Sequence, residues 1–158
     1  MEGRRVSESA AEYSELALPN DANMIGNLLG GKIMHLVDLA AAISATRHAR
    51  NVCVTASVDH MEFLRPVKIG QWVRLRASVN RVFRTSMEVG VKVWVEDLIT
   101  GVQQHVSSAY LTFVAIDANG RGVSVAPVIP ETDDENRRYI KAGERRAYRL
   151  SQRKKDTP

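Results

Sequence analysis

The chain has 158 residues, of which 44% are hydrophobic, and it carries a formal net charge of +4. Length and composition are ordinary for one globular domain with a buried core, and they exclude a fibrous or wholly disordered chain. Residues 131–158 hold nine Lys/Arg and six Asp/Glu, so most of the excess positive charge belongs to the tail, and we expect no nucleic-acid-binding surface.

Targeting and metal-binding signals are not evident in the sequence. The N-terminal residues lack the apolar segment of a signal peptide, so we expect a cytoplasmic protein without a membrane span. The single cysteine, Cys53, cannot form an internal disulfide and has no metal-ligand spacing around it. We therefore predict no metal site.

The N-terminal third predicts one short strand and one long helix. Residues 1–9 are polar and unpatterned, and we expect them to be disordered. A short strand is predicted over 13–18, followed by a loop rich in Pro, Asn, Asp and Gly. A helix is predicted over 31–47, with Asn51 as a left-handed cap. Apolar residues surround most of this helix, which is typical of a helix packed on several sides.

The remainder changes to a two-residue period. Apolar and polar residues alternate over 52–58, 73–79, 87–95 and 109–115, which predicts four strands. Their connectors are short enough for antiparallel meander pairs, so we predict an α+β fold whose sheet curls around the helix. This domain is expected to cover 10–130. A capping box at 132–135 begins a helix to about 151 within a charged C-terminal segment, 131–158.

One carboxylate stands out from these patterns. Asp38 lies inside the almost wholly apolar helix, where an ionised side chain is costly to bury unless it has a partner. Asn23 lies in the preceding polar loop, and the Gly30-Gly31 pair begins the helix. Taken singly, each feature has a structural explanation: a hydrogen-bonded Asp, a turn Asn and a helix-entry turn.

Several motifs occur together in one order. They read P-x-D-A-N-x-x-G-N-x-x-G-G-x-I-M-x-x-x-D (19–38), A-T-R-H-A (45–49), V-T-A-S-V-D-x-M-x-F (54–63), R-T-S-M-E-V (84–89) and P-E-T (130–132). This set closely resembles the cytosolic acyl-CoA thioesterases, or acyl-CoA hydrolases, which have the hotdog fold. The resemblance spans about residues 16–135.

The resemblance implies how the site is built. In that family an Asn before the helix and an Asp on the helix act across a dimer interface, and the matching positions here are Asn23 and Asp38. A chain with one hotdog domain would have to self-associate, and the resemblance implies a hexamer built as a trimer of dimers. His35 departs from the family pattern, and we expect it to face a partner or solvent rather than form a dyad with Asp38.

The implied reaction is hydrolysis of an acyl-CoA thioester. Asp38 is a candidate general base for water or a nucleophile that forms an anhydride; we favour the general base, and the sequence does not separate the two. Asn23 supplies an uncharged amide. The N–H groups near Gly30 and Gly31 would face the developing oxyanion. No cofactor is expected, since coenzyme A is part of the substrate.

Coenzyme A carries phosphates, which favour cations and free N–H groups. The candidates for binding it are Gly30, Arg65 and the turn Arg84-Thr85-Ser86, although exposed turn charges explain these arginines equally well. Met34, Met61 and Phe63 are candidates for an acyl channel, or for ordinary core packing.

Three alternatives compete with hydrolysis of fatty acyl-CoA. A hotdog domain can bind acyl-CoA as a non-catalytic sensor, which would show tight binding without turnover. A hydratase or dehydratase is disfavoured because no loop histidine precedes Gly30. A purely structural assembly would have no affinity for coenzyme A.

Overall fold

The structure, a computed structural model, describes residues 1–156. Within these residues the chain forms short and long strands and three α-helices. In chain order they are β1 (Arg4–Arg5), α1 (Val6–Ser9), β2 (Ala11–Leu16), α2 (Gly30–Ala49), β3 (Cys53–Phe63), β4 (Trp72–Phe83), β5 (Ser86–Glu96), β6 (Gln103–Ala115), β7 (Val128–Ile129) and α3 (Asp133–Asp156). A 3-10 turn at Pro19–Asp21 lies in the loop before α2.

A five-stranded antiparallel sheet packs against α2. Its strand order is β2-β4-β5-β6-β3, and α2 contacts all five strands on the inner face. Side chains alternate between the two faces of a strand, so every second residue of β4 and β5 reaches the core. The buried core includes Val73, Leu75, Val79, Val89, Val91 and Val93 from these strands and Leu36, Val37, Ala40 and Ala41 from α2. The predicted α+β hotdog architecture is confirmed.

The strand order differs in one respect from the predicted meander. Strands β4, β5 and β6 are consecutive neighbours, as expected. Strand β3 instead lies at the far edge, paired with β6 and separated from β4 by two strands. Connector length does not fix this order. For the curled sheet to cover α2 from both sides, β2 must pair at one edge of the central strands and β3 at the other.

The ends of α2 extend beyond the prediction. The helix begins at Gly30 and runs to Ala49, and Arg50 rather than Asn51 takes the left-handed position, with φ of 54°. The Arg50 N–H donates to the carbonyl of Thr46 at 2.8 Å. The predicted cap was wrong by one residue, because the last hydrogen bond of the helix and not the preference of Asn sets where the chain turns.

The expectation of a disordered N-terminus is not what the structure shows. Residues Arg4–Arg5 pair in parallel with Val128–Ile129, and Val6–Ser9 forms one helical turn. Val6 and Ser9 are buried, and the Ser9 hydroxyl accepts a hydrogen bond from the Val79 N–H of β4 at 2.9 Å. The two buried side chains hold this turn against the sheet. The surrounding sequence is polar and gives no local sign that these residues are buried.

The predicted start of α3 is confirmed. The Glu135 N–H donates to Thr132 Oγ1 at 3.1 Å, while the Glu135 carboxylate accepts from the Thr132 N–H at 3.1 Å, which is a capping box. The helix continues to Asp156 rather than ending near 151. The last two positions of the predicted 131–158 segment lie outside the described residues.

Helix α3 docks on the outer face of the sheet through a buried ion pair. Arg145 donates two hydrogen bonds to the Glu88 carboxylate, at 2.6 and 3.0 Å, and Glu88 is fully buried on β5. Asn80 of β4 donates a further bond to Glu88 at 2.9 Å. Burial alone would lower the pKa of Arg145, but its hydrogen bonds to Glu88 and the charge of that carboxylate give a net raised pKa.

We expect Arg145→Ala to destabilise the protein by about 3 kcal/mol, because it leaves a buried carboxylate without its cation. Urea denaturation followed by circular dichroism measures the loss. Arg137→Ala is the matched control, since its ion pair with Asp134 is exposed on the same helix and should change stability by less than about 0.5 kcal/mol. Equal losses in the two variants would contradict a structural role for the buried pair.

A second buried titratable group lies at the end of α2. His48 is fully buried, its Nε2 donates to the carbonyl of Ala126 at 2.7 Å, and its Nδ1 has no hydrogen-bond partner among residues 1–156. Burial lowers the pKa of His48 from its usual value of 6.5. The folded state therefore holds this ring neutral at a pH where the unfolded chain has begun to bind a proton.

Below about pH 6.5 we expect His48 to reduce stability by up to about 1.4 kcal/mol per pH unit, because only the unfolded state takes up the proton. Above that pH both states are neutral and the contribution vanishes. Unfolding free energies of the wild type and His48→Gln between pH 5 and 7.5 measure the effect. An identical slope for the two proteins would rule it out.

Membrane-spanning helices are absent from the described part of the chain: none of its helices combines the length and the hydrophobicity needed to cross a bilayer.

Candidate active site

Asp38 lies midway along α2 and is half-buried beside β3. The Thr55 hydroxyl of β3 donates a hydrogen bond to Asp38 Oδ1 at 2.6 Å. Oδ2 accepts no hydrogen bond from residues 1–156. One carboxylate oxygen is thus fixed by the protein, while the other has no hydrogen-bond partner among the described residues.

Asn23 organises the loop that precedes α2. Its Oδ1 accepts hydrogen bonds from the N–H groups of Ile25 and Asn27, at 3.1 and 3.0 Å. Gly26, with φ of 82°, takes the left-handed position that this tight turn requires. Because Oδ1 is used within the loop, the group that Asn23 can offer to a substrate is its Nδ2 amide, a donor.

The first turn of α2 exposes unpaired donors. In residues 1–156 the N–H groups of Gly30 and Gly31 have no acceptor, and no side chain caps the helix. A Cβ on Gly31 would meet nothing within 4 Å, whereas one on Gly30 would lie 3.5 Å from the Phe63 ring. A substrate oxygen can approach these donors at the positive end of the helix dipole.

Within one chain the candidate residues form two separate groups. Asn23 lies with the glycine pair at the N-terminal end of α2, and the Leu29 N–H joins this loop by donating to the carbonyl of Asp21 at 2.8 Å. From Gly31 to Asp38 the helix rises about 10 Å, at about 1.5 Å per residue. No hydrogen bond joins Asp38 to Asn23 in the described chain.

Comparison with known proteins identifies the family. The profile of the thioesterase superfamily matches residues 25–102. The chain is 43% identical to YkhA of Bacillus subtilis, described as an uncharacterized acyl-CoA thioester hydrolase, over 85% of this chain and 78% of that protein. This chain belongs to the thioesterase superfamily. Its family is that of the acyl-CoA thioester hydrolases, as the motifs indicate.

Solved structures of similar thioesterases share the fold. An apo hexameric acyl-CoA thioesterase superposes with a TM-score of 0.93 at 35% identity, covering 96% of this chain and 97% of that one. An acyl-CoA hydrolase of Staphylococcus aureus, in complex with butyryl coenzyme A and coenzyme A, has a TM-score of 0.89 at 35% identity, covering 96% and 93%. Further structures of that hydrolase replace an aspartate, an asparagine or a threonine by alanine.

The predicted coenzyme A contacts of this thioesterase lie at both ends of the sheet. Arg65 is exposed in the loop between β3 and β4, close to the glycine pair, because the Val67 carbonyl of that loop accepts from the Leu28 N–H at 2.7 Å. Arg65 therefore belongs with the Asn23 group.

The turn between β4 and β5 belongs with the Asp38 group. Arg84 is exposed in the left-handed region, with φ of 62°, and its carbonyl accepts from the Val125 N–H at 2.7 Å. Thr85 accepts from the Ala115 N–H through its carbonyl at 3.0 Å. The Ser86 hydroxyl faces α3, 3.4 Å from an Arg146 guanidinium nitrogen. The register of β5, β6 and β3 places this turn at the end of the sheet near Thr55.

Sequence reasoning missed Thr55. Thr55 lies in the V-T-A-S-V-D motif, but its contact with the one acidic residue of the helix depends on how β3 packs on α2. His35 is exposed, and no hydrogen bond joins it to Asp38 within residues 1–156. Nor do the described residues contain a cluster of three or more His, Cys, Asp or Glu placed to hold a metal ion.

Proposed function

We propose that this thioesterase hydrolyses fatty acyl-CoA to a free fatty acid and coenzyme A, with Asp38 as general base and Asn23 supplied by a partner subunit. The observation that carries the proposal is the carboxylate of Asp38, which Thr55 holds at Oδ1 and which has no protein hydrogen bond at Oδ2. The same three residue types, Asp, Asn and Thr, are those replaced in the Staphylococcus aureus hydrolase structures.

The dimensions of the site favour a contribution from a partner subunit. Donors near Gly31 must lie about 3 Å from the oxyanion, while the base must reach a water attacking the same carbon. The rise of about 10 Å along α2 separates the base from the donors within one chain, which favours a site shared between two chains. A two-fold axis would bring Asp38 of one chain beside the Asn23 group of the other.

Exposed apolar residues mark where such a partner would pack. Strand β3 is a long edge strand with Val54 and Val58 exposed, and the neighbouring face of α2 exposes Met34, Leu39 and Ile43. Unpaired edges and apolar patches of this kind are typical of subunit interfaces. We extend the proposal to a homohexamer built as a trimer of dimers, for which the hexameric relatives provide support. Light scattering should give six chain masses.

The reaction would proceed by addition and elimination. Asp38 Oδ2 takes a proton from water while the water oxygen bonds to the thioester carbon. The resulting oxyanion accepts hydrogen bonds from the Gly31 N–H and the Asn23 Nδ2 of the partner chain. The carbon–sulfur bond then breaks, and the departing thiolate takes the proton from Asp38. Only water and groups of the protein take part, so we predict that no cofactor is needed.

Substrate binding would use both ends of the sheet. A two-fold axis would bring cations and polar groups from both chains towards one cleft. The chain that supplies the donors would contribute Arg65, and the chain that supplies Asp38 would contribute Arg84 and Thr85. They suit the phosphates of coenzyme A. Phe63 lies against Gly30, and with Met34 and Met61 it would line the acyl chain. We place the reaction in the cytoplasm.

Thiol release from acetyl-, butyryl-, octanoyl- and palmitoyl-CoA tests the function. We expect turnover with at least one chain length, and KM should rise in Arg84→Ala. Calorimetry with coenzyme A runs in parallel. Tight binding without thiol release would favour the alternative, a non-catalytic acyl-CoA sensor. Absence of both binding and thiol release would favour a purely structural assembly and contradict the proposal.

A further inference from the structure

Asp59 is a nearly buried carboxylate on β3 that lies outside the site described above. Its side chain is 8% exposed. Asp59 Oδ1 accepts from the Ser57 hydroxyl at 2.9 Å, and Oδ2 accepts from the Thr112 hydroxyl at 3.0 Å and from Arg149 at 2.6 Å. One carboxylate thus joins its own strand, the neighbouring strand β6 and helix α3.

Strand β3 is irregular where Asp59 lies. It advances five residues from Thr55 to His60, while β6 advances three from Phe113 to Tyr110. The two additional residues, Ala56 and Asp59, form bulges without partners in the register. A bulge weakens the ladder locally and changes the direction of neighbouring side chains. The conformation of this segment must therefore be fixed by contacts other than strand pairing.

Thr55 immediately precedes the first bulge, and its hydroxyl is the group that holds Asp38. We propose that Asp59 is a positioning residue: by fixing the double bulge to β6 and α3, it sets the Thr55 hydroxyl against the Asp38 carboxylate. The inference rests on the proposed function, in which that pair prepares the general base. Catalytic groups must be held within about 0.5 Å of the productive geometry, which a loosely held bulge cannot provide.

Helix α3 reaches the site through the same carboxylate. Arg145 and Arg149 lie one turn apart on α3, and they bind Glu88 and Asp59 respectively. Glu88 lies on β5 opposite Thr112 of β6 and reaches β3 only through that residue, whose hydroxyl donates to Asp59, whereas Asp59 itself lies four residues from Thr55 on the same strand. The two arginines should therefore differ in kind: Arg145 contributes mainly to stability, and Arg149 contributes to the geometry of the site.

A double-mutant cycle between Asp59→Asn and Thr55→Ala tests the proposal by thiol release. We expect Asp59→Asn to lower kcat about 10-fold in the wild-type background, with little change in KM. In the Thr55→Ala background the same substitution should lower kcat less than about 2-fold, because the effects of coupled residues are not additive. Asp134→Asn, an exposed carboxylate on α3, is the control and should retain wild-type kcat. Thr112→Val removes one bond to Asp59 without touching a charge, and it replaces Asp59→Asn in the cycle if that variant fails to fold.

Two results would overturn the inference. One is a loss from Asp59→Asn that multiplies in full with the loss from Thr55→Ala. We expect Arg145→Ala to lose more thermal stability and Arg149→Ala to lose more kcat. The other contradicting result is therefore a loss of kcat that is larger in whichever of these two variants is less stable. An unchanged kcat in Thr55→Ala alone would instead contradict the proposed role of the Thr55–Asp38 pair, and the positioning role with it.

Discussion

Asp38→Asn should lower kcat for acyl-CoA hydrolysis by about 10²- to 10⁴-fold, the range that a positioned general base contributes. Asparagine keeps the shape of the side chain and an oxygen that accepts from Thr55, but it cannot take a proton from water. Because the loss arises in the transition state, KM and the affinity for coenzyme A should change little. Thiol release and calorimetry on the same preparation measure both quantities.

The control for this variant is Asp134→Asn, which removes an exposed carboxylate of α3 and should leave kcat unchanged. Unfolding by heat should show similar stability for the two variants. An unchanged kcat in Asp38→Asn would contradict the proposed mechanism. If the loss is found, single-turnover hydrolysis by the wild type in heavy-oxygen water tests the nucleophilic role of Asp38. Label in the protein would show an anhydride opened at its aspartyl carbonyl, whereas a general base places the label only in the fatty acid.

Mixing two inactive variants should restore activity. If each site combines Asp38 of one chain with Asn23 of the other, co-refolded Asp38→Asn and Asn23→Ala chains give about one quarter of intact sites by random pairing in a two-fold dimer. A mixed dimer then has one site that carries both substitutions and one that carries neither. Thiol release from the mixture, compared with each variant refolded alone, measures the recovery.

The reciprocal mixture provides the control. When a chain carrying both substitutions is co-refolded with an equal amount of wild type, sites shared between subunits leave about one quarter of the activity, whereas sites contained within one chain leave about one half. If the first mixture recovers no activity and the second retains about one half of the wild-type activity, then Asn23 and Asp38 of one chain act in the same site. That result would contradict the partner contribution while leaving Asp38 as the base.

Much of the fold was predictable because the signals are local. Alternation of apolar residues in β4 and β5 and the apolar run of α2 depend only on the neighbours of each residue along the chain. Thr132 and Glu135 likewise predicted the start of α3 from a spacing of three residues. The motifs around Asn23 and Asp38 predicted the family, which the comparisons confirm.

The remaining features depend on distant contacts. The position of β3 at the sheet edge, the ordered turn that buries Val6, and the two bulges of β3 each arise from pairing between segments far apart in sequence. A polar N-terminus and an alternating strand give no local sign of them. The structure also places the glycine pair at the start of α2 and Asp38 midway along it beside Thr55, which a list of motifs in one chain does not reveal.

By itself the sequence determined the central helix, the four long strands, the family and the acidic residue on the helix, because short-range periodicity and motif spacing encode them. Only the tertiary structure decided that Thr55 holds Asp38, that Asp59 joins β3 to α3, and that Glu88 is buried beneath Arg145. The physical reason is that a hydrogen bond or buried ion pair depends on which side chains the packed sheet and helices bring within about 3 Å.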